Sequence, residues 1–136
     1  MIVADTSALL AYYNADDRSH AGVAAAIDLA VDPLVVSPLV IAELDYLVTT
    51  RFGVSAELAM IGQLASGAYE LAAFGEADLA DARDVVERYR DQNFGVTDAS
   101  LVVLAARYGT RQLLTLDHRH FQVVRSLSGE PFELLP

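Results

Sequence analysis

Lysine and cysteine are both absent from this chain of 136 residues. Without cysteine there is no disulfide framework and no thiolate metal site. That absence fits any compartment, so a cytoplasmic location is only a permissive expectation. Without lysine, a phosphate-binding loop of the Gly-Lys-Ser/Thr kind is excluded, as is a Schiff-base or nucleophilic lysine. All nine cations are arginine, set against nineteen carboxylates, for a net charge of −10. So acidic a chain is a poor general binder of nucleic-acid backbone. It leaves room for a local arginine surface and for metal ions that offset carboxylate charge. Long apolar runs are missing as well. The longest apolar stretch, residues 33–48, is interrupted by Glu43 and Asp45 and is too short and too charged to span a bilayer. Asp5 interrupts the N-terminal region before any signal-type apolar core develops, so no signal peptide is expected.

What the chain does have is apolar content, 54% of its residues, which is high for one domain of this length. Residues 1–136 read as a single domain with a real core, and some apolar surface is left over for a partner. Short apolar runs at 2–4, 34–36 and 112–116 read as buried strands, with 69–74 strand-like and 132–135 a last edge strand. Helices are expected over 8–14, 21–31, 38–51, 55–66, 76–91 and from 97 to the stop at Gly109. Ser37 and Pro38 suit the start of the third of these, and Thr97 is the expected cap of the sixth. The third helix carries an apolar stripe of Leu39, Val40, Leu44, Leu47 and Val48 with Glu43 inside it, while Asp45 reads as solvent-facing. The fifth has Leu79, Ala82, Val86 and Tyr89 on its inner side. Its Arg83, Arg88 and Arg90 are expected to pair with nearby carboxylates. Strands alternating with helices predict an α/β fold, a three-layer sandwich with a central, mainly parallel sheet flanked by helices. The right-handed crossover rule puts its strand ends on one side.

Four carboxylates stand apart from the surface acids. Asp5 and Asp117 each follow a buried strand, at the sheet edge where ligands bind in parallel α/β folds. Asp98 lies in the first turn of a helix, where the dipole favours negative charge. Glu43 lies on the apolar stripe of the helix that leaves the second strand. Each has a plain structural reading: a helix-terminal acid for Asp98, a turn former for Asp117, a buried pair with arginine for Glu43. As a group they repel one another and raise each other's proton affinity, and a divalent cation resolves that conflict. Oxygen ligands with no cysteine and no necessary histidine suit Mg²⁺ or Mn²⁺ better than Zn²⁺. Such ions activate water and stabilise in-line displacement at phosphorus, which points to hydrolysis of a phosphodiester. Thr6, Ser7, Thr97 and Thr115 either hold metal-bound water or orient these carboxylates, or merely cap and turn the chain. His118 and His120 read as incidental neighbours of Asp117, and Arg119 as a phosphate contact or a surface ion pair.

With these residues placed, the sequence resembles the PIN-domain ribonucleases, specifically the VapC-type toxins of bacterial toxin–antitoxin pairs. Asp5-Thr6-Ser7-Ala8-Leu9-Leu10 is similar to the first family motif, and Ser37-Pro38 through Ala42-Glu43-Leu44 to the second. Thr97-Asp98-Ala99-Ser100-Leu101 resembles the third, and Leu114-Thr115-Leu116-Asp117 with Phe121 the fourth. The resemblance spans nearly the whole chain and implies a PIN-like fold. It also implies a metal-dependent endoribonuclease acting on structured RNA such as tRNA or rRNA loops, a homodimer, and inhibition by a cognate VapB-like antitoxin. On this reading Asp5, Asp98 and Asp117 are direct ligands of Mg²⁺ or Mn²⁺. Glu43 acts through water or orients the attacking water. The stretch His118-Arg119-His120 departs from the pattern of many relatives, so no role is transferred to its histidines.

Two rival classes remain at this point. A phosphoacceptor signalling domain also gathers acids at strand ends but calls for an active-site lysine, which this chain lacks. A non-catalytic acidic module would merely attract arginine-rich peptides, and metal-dependent cleavage separates it from a nuclease.

Overall fold

Strand β1 (Val3–Ala4) is two residues long, and no other strand exceeds three. The computed structural model describes residues 1–136. Four further strands, β2 (Val35–Val36), β3 (Glu70–Leu71), β4 (Gln112–Leu114) and β5 (Glu133–Leu135), join β1 in an all-parallel sheet of order β3-β2-β1-β4-β5. Val3, Ala4, Val35, Val36, Leu113 and Leu114 are at most 1% exposed. Near-continuous apolar runs of this kind mark parallel strands covered on both faces. The register pairs Ala4 with Val36 on one side and with Leu114 on the other. The next residue of each strand is therefore Asp5, Ser37 or Thr115, three buried polar groups side by side on the C-terminal edge.

The helices are α1 (Thr6–Tyr13), α2 (His20–Asp28), α3 (Pro38–Phe52), α4 (Val54–Leu64), α5 (Glu76–Arg88), α6 (Val96–Arg107) and α7 (His118–Phe121). Helix α6 is the most deeply set. Residues 99–105 are all buried, and the helix packs against β1, β4, α3 and α5. Arg107 at its C-terminal end pairs with Asp78 and donates to the Ala73 carbonyl, tying α6 to the start of α5. No helix is long and apolar enough to cross a membrane. The surplus apolar content lies on the surface. Tyr46, Phe52, Val54, Leu58 and Ile61 are exposed along α3 and α4, and Leu29 and Val31 beyond α2.

Several sequence expectations shift by a residue or two. Helix α1 starts at Thr6 rather than at 8, because Asp5 itself caps it by accepting the Thr6 N–H at 2.7 Å. Gly95, not Thr97, occupies the cap position of α6, and Thr97 sits inside the first turn. Helix α5 stops at Arg88; residues 90–92 tighten into a 3₁₀ turn closed by Asn93 at φ 53°. Its buried residues are Ala82 and Val85, whereas Leu79 is 52% exposed. Arg83 and Arg90 pair with Asp84 and Glu87, as the local charge pattern predicts, whereas Arg88 forms no ion pair.

The largest correction concerns α3. Its buried face is Val40, Leu44 and Val48, one position on from Leu39, Glu43 and Leu47. A helix turns about 100° per residue, so this phase carries Glu43 out of the stripe and onto the exposed side. Asp45 is the half-buried acid instead, facing Glu57 where α4 packs back on α3. The hydrogen bond with Asp45 holds the Glu57 carboxyl above its ordinary value.

Candidate active site

Asp5 is 5% exposed, and three donors hold its carboxylate. Oδ1 accepts the Thr6 N–H. Oδ2 accepts both the Ser7 hydroxyl at 2.7 Å and the Thr115 hydroxyl at 2.8 Å. Each hydroxyl has one proton, so both protons are spent on Asp5, and each oxygen then acts as an acceptor. Ser7 Oγ takes the Leu116 N–H and Thr115 Oγ1 takes the Asp117 N–H. Thr115 thereby links Asp5 directly to the backbone of Asp117. Such satisfaction fixes the direction of the carboxylate and offsets the cost of burying a polar group. Thr6 Oγ1, beside Asp5, is buried without a partner.

Asp117 caps the four-residue helix α7. The helix is anchored by Phe121, 1% exposed, whose ring meets Phe94 edge-on at 5.7 Å. Phe94 leads into Gly95 and α6, which carries Asp98 in its first turn. The aromatic contact therefore sets the spacing between the Asp117 turn and the Asp98 helix.

A second buried chain sets the spacing between Asp98 and Glu43. The Ser100 hydroxyl donates to the Thr97 carbonyl at 2.6 Å. Ser37, at 2.8 Å, must then be the donor to Ser100, and it accepts the Leu39 N–H in turn. The start of α3 is thus pinned to the start of α6 by hydroxyl groups with no solvent access.

The acids sense one another. Asp98 is pushed up to about 6, first by burial, then by the charge of Asp5, with Glu43 adding to the effect. The Gly95 N–H and His120 act in the opposite direction. The arginine ion pairs lie elsewhere, at Asp78, Asp84, Glu87 and Glu130, so no guanidinium neutralises the basin. Asp5, Glu43 and Asp98 therefore share one electrostatic basin, and Asp117 is bonded into it through Thr115 and His120. Yet no three His, Cys, Asp or Glu side chains are gathered closely enough to form a ready-made cation cage. Four other cavities, the largest about 670 Å³, are lined by none of these acids.

Some partners were not evident from the sequence alone. Both histidines beside Asp117 are engaged, contrary to the reading of them as incidental. His118 Nε2 donates to the Thr115 carbonyl at 3.1 Å, and His120 Nδ1 lies 2.8 Å from Asp117 Oδ2. The Asp-x-x-His spacing carried this signal, since a capping Asp faces the third residue of the turn it caps. Ser7 and Thr115 are orienting groups, which the sequence left open. Thr97 contributes its carbonyl to Ser100, and Arg119 is exposed.

The family model for the PIN domain matches residues 2–126 of this chain. Ribonuclease VapC26 of Mycobacterium tuberculosis is 53% identical over 135 residues, which cover 99% of this chain and 100% of that protein. Among solved structures, M. tuberculosis VapC20, described as a sarcin-ricin loop cleaving toxin, is similar with a TM-score of 0.81. That match is 20% identical and covers 88% of this chain and 92% of the other. VapBC2 of Rickettsia felis, bound to a DNA fragment from its promoter, gives a TM-score of 0.69 at 15% identity over 100% of both chains. At these identities the structural likeness is one of fold.

Proposed function

The chain belongs to the PIN-domain family and is a homologue of a VapC ribonuclease; from that premise we propose that it is a metal-dependent endoribonuclease, the toxin of a type II toxin–antitoxin pair. Its substrate is structured cellular RNA, such as a tRNA or rRNA loop, where splayed bases leave a phosphate accessible. A loop, the sarcin-ricin loop, is also what VapC20, whose fold the chain shares, is named as cleaving. The inhibitor is a cognate VapB-like antitoxin, and the working form is a homodimer. The exposed apolar side chains of α3 and α4 supply surface for such partners.

The observation that carries this reading is the crowding of Asp98 by Asp5 and Glu43 with no arginine nearby. The donor set fits Mg²⁺ or Mn²⁺. It is all hard oxygen, and Mg²⁺ is commonly held by one or two carboxylates together with waters and substrate phosphates, so a complete protein cage is not required. Asp5, Asp98 and Asp117 would hold the ion, and Glu43, exposed at the edge of the basin, would orient the attacking water. When bound, the dication supplies Lewis acidity toward a phosphate oxygen and eases deprotonation of water. Ser7 and Thr115 hold the Asp5 carboxylate fixed in direction.

The test is to purify the chain free of any partner, add Mg²⁺ or Mn²⁺, and assay total RNA beside an Asp5→Ala control. Cleavage by the wild type alone is expected, and mapping of the cut ends then identifies the target. Equal cleavage by both proteins would mean a contaminating nuclease and would sink the assignment.

A further inference from the structure

We propose that His120 is a positioning residue of the acid basin: it fixes the orientation of the Asp117 carboxylate and ties it to the segment that launches Asp98. The proposal rests on the metal-site reading above. Both oxygens of Asp117 are held by this one residue. Oδ1 accepts the His120 backbone N–H at 3.2 Å, and Oδ2 lies 2.8 Å from Nδ1 of the ring. An ionised carboxylate only accepts hydrogen bonds, so Nδ1 is the donor and Nε2 is left free. Any residue at 120 supplies the backbone bond; only a side chain with a donor at the δ position supplies the second.

That second bond matters because Asp117 is 40% exposed at the side chain and sits on a helix of four residues, which restrains it little. The imidazole is itself braced. Its ring stands edge-on to Phe94, with centroids 6.4 Å apart and planes at 89°. Phe94 immediately precedes Gly95, the cap residue of the helix that carries Asp98, and His120 lies within electrostatic range of Asp98. His120 therefore bridges the two turns that deliver Asp98 and Asp117. A carboxylate has about four lone-pair directions, and the clamp uses two, leaving the rest for a cation. Groups that orient ligands in this way are typically worth about 10–100-fold in metal affinity or activity.

The experiment compares His120→Ala, His120→Asn and His120→Gln. The Asn amide nitrogen reaches the place of Nδ1, and the Gln amide that of Nε2. Mn²⁺ affinity is measured calorimetrically without RNA, and kcat and KM are measured separately on an RNA hairpin that the wild type cuts. Melting curves check the fold. The expected result is Mn²⁺ binding weakened about 10–100-fold in the Ala variant, largely restored by Asn and not by Gln. The kcat values should follow the same order and KM should change little. Wild-type Mn²⁺ affinity in His120→Ala overturns the proposal, and so does rescue by Gln but not Asn, which would mean that Nε2 acts on the substrate. If the Ala variant fails to fold, the contrast between Asn and Gln decides. A wild type that binds Mn²⁺ but cuts no RNA defeats the nuclease reading alone, and the affinity series still judges His120. A wild type that binds no Mn²⁺ overturns both.

Discussion

Thr115 and Asp5, 110 positions apart in sequence, are joined by a 2.8 Å hydrogen bond in which the threonine hydroxyl donates to the carboxylate. Ser7 donates to the same oxygen. Thr115→Val keeps the shape of the side chain and removes the donor. A loss of about 1–3 kcal/mol is expected, the usual cost of leaving a buried acceptor short of a partner. Ser7→Ala should cost less, because Ser7 is only partly buried. The double variant should lose more than the sum, since only then does Oδ2 lack every donor. Urea unfolding midpoints measure all three, and strict additivity would contradict the shared-acceptor account.

Asp98 sets a sign for the pH dependence of stability in metal-free protein. Its folded pKa, about 6, is raised above the unfolded value near 4. Between those values the native state binds more protons than the unfolded chain, so stability falls as pH rises through the window and is flat above it. Asp98→Asn removes that slope while keeping the size and shape of the side chain. At pH 8 the variant should melt about 2–4 °C higher than wild type, and it should cleave no RNA. A variant that melts lower at pH 8 would count against like-charge crowding.

Divalent cations should reverse the penalty. Mg²⁺ at about a hundredfold excess over its dissociation constant stabilises a single-site protein by about 2.7 kcal/mol. The corresponding rise in Tm is expected for wild type at pH 8. At pH 5 it should shrink, because protons on Asp98 compete with the ion. Asp5→Ala should abolish it. Differential scanning fluorimetry with and without EDTA reads all of these effects.

Breaking the hydroxyl chain between α3 and α6 should uncouple Glu43 from Asp98. Ser100→Ala strips the Thr97 carbonyl and the Ser37 hydroxyl of their shared partner. The expected cost is about 1–3 kcal/mol, together with a fall in kcat that exceeds any change in KM. Unchanged kinetics in a folded variant would show that the chain is structural only.

The acids at strand ends were legible because buried parallel strands announce themselves as apolar runs, and the residue after each run falls on the sheet edge. The α/β class followed from the same alternation. Glu43 falls on the exposed side of its helix although the sequence pattern points inward, because apolar residues occupy two adjacent rows of α3 and packing alone decides which row is buried. Intrinsic preference marks Thr97 as a cap, yet Gly95 takes that place and Thr97 falls inside the first turn. The sequence offers Ser7 and Thr115 as candidate orienting groups but does not show which acid they serve. Ser7 is a near neighbour, but Thr115 arrives only because β1 and β4 are adjacent in the sheet.

Strands of two and three residues leave no spacer between the packed interior and the reacting edge. Ala4 and Leu114 each stand one peptide unit from a group that holds or forms the basin. Mutational tolerance inside this molecule is therefore governed by turnover before it is governed by melting. A library selected for cleavage should accept far fewer replacements at Ala4, Val36 and Leu114 than the same library screened for expression.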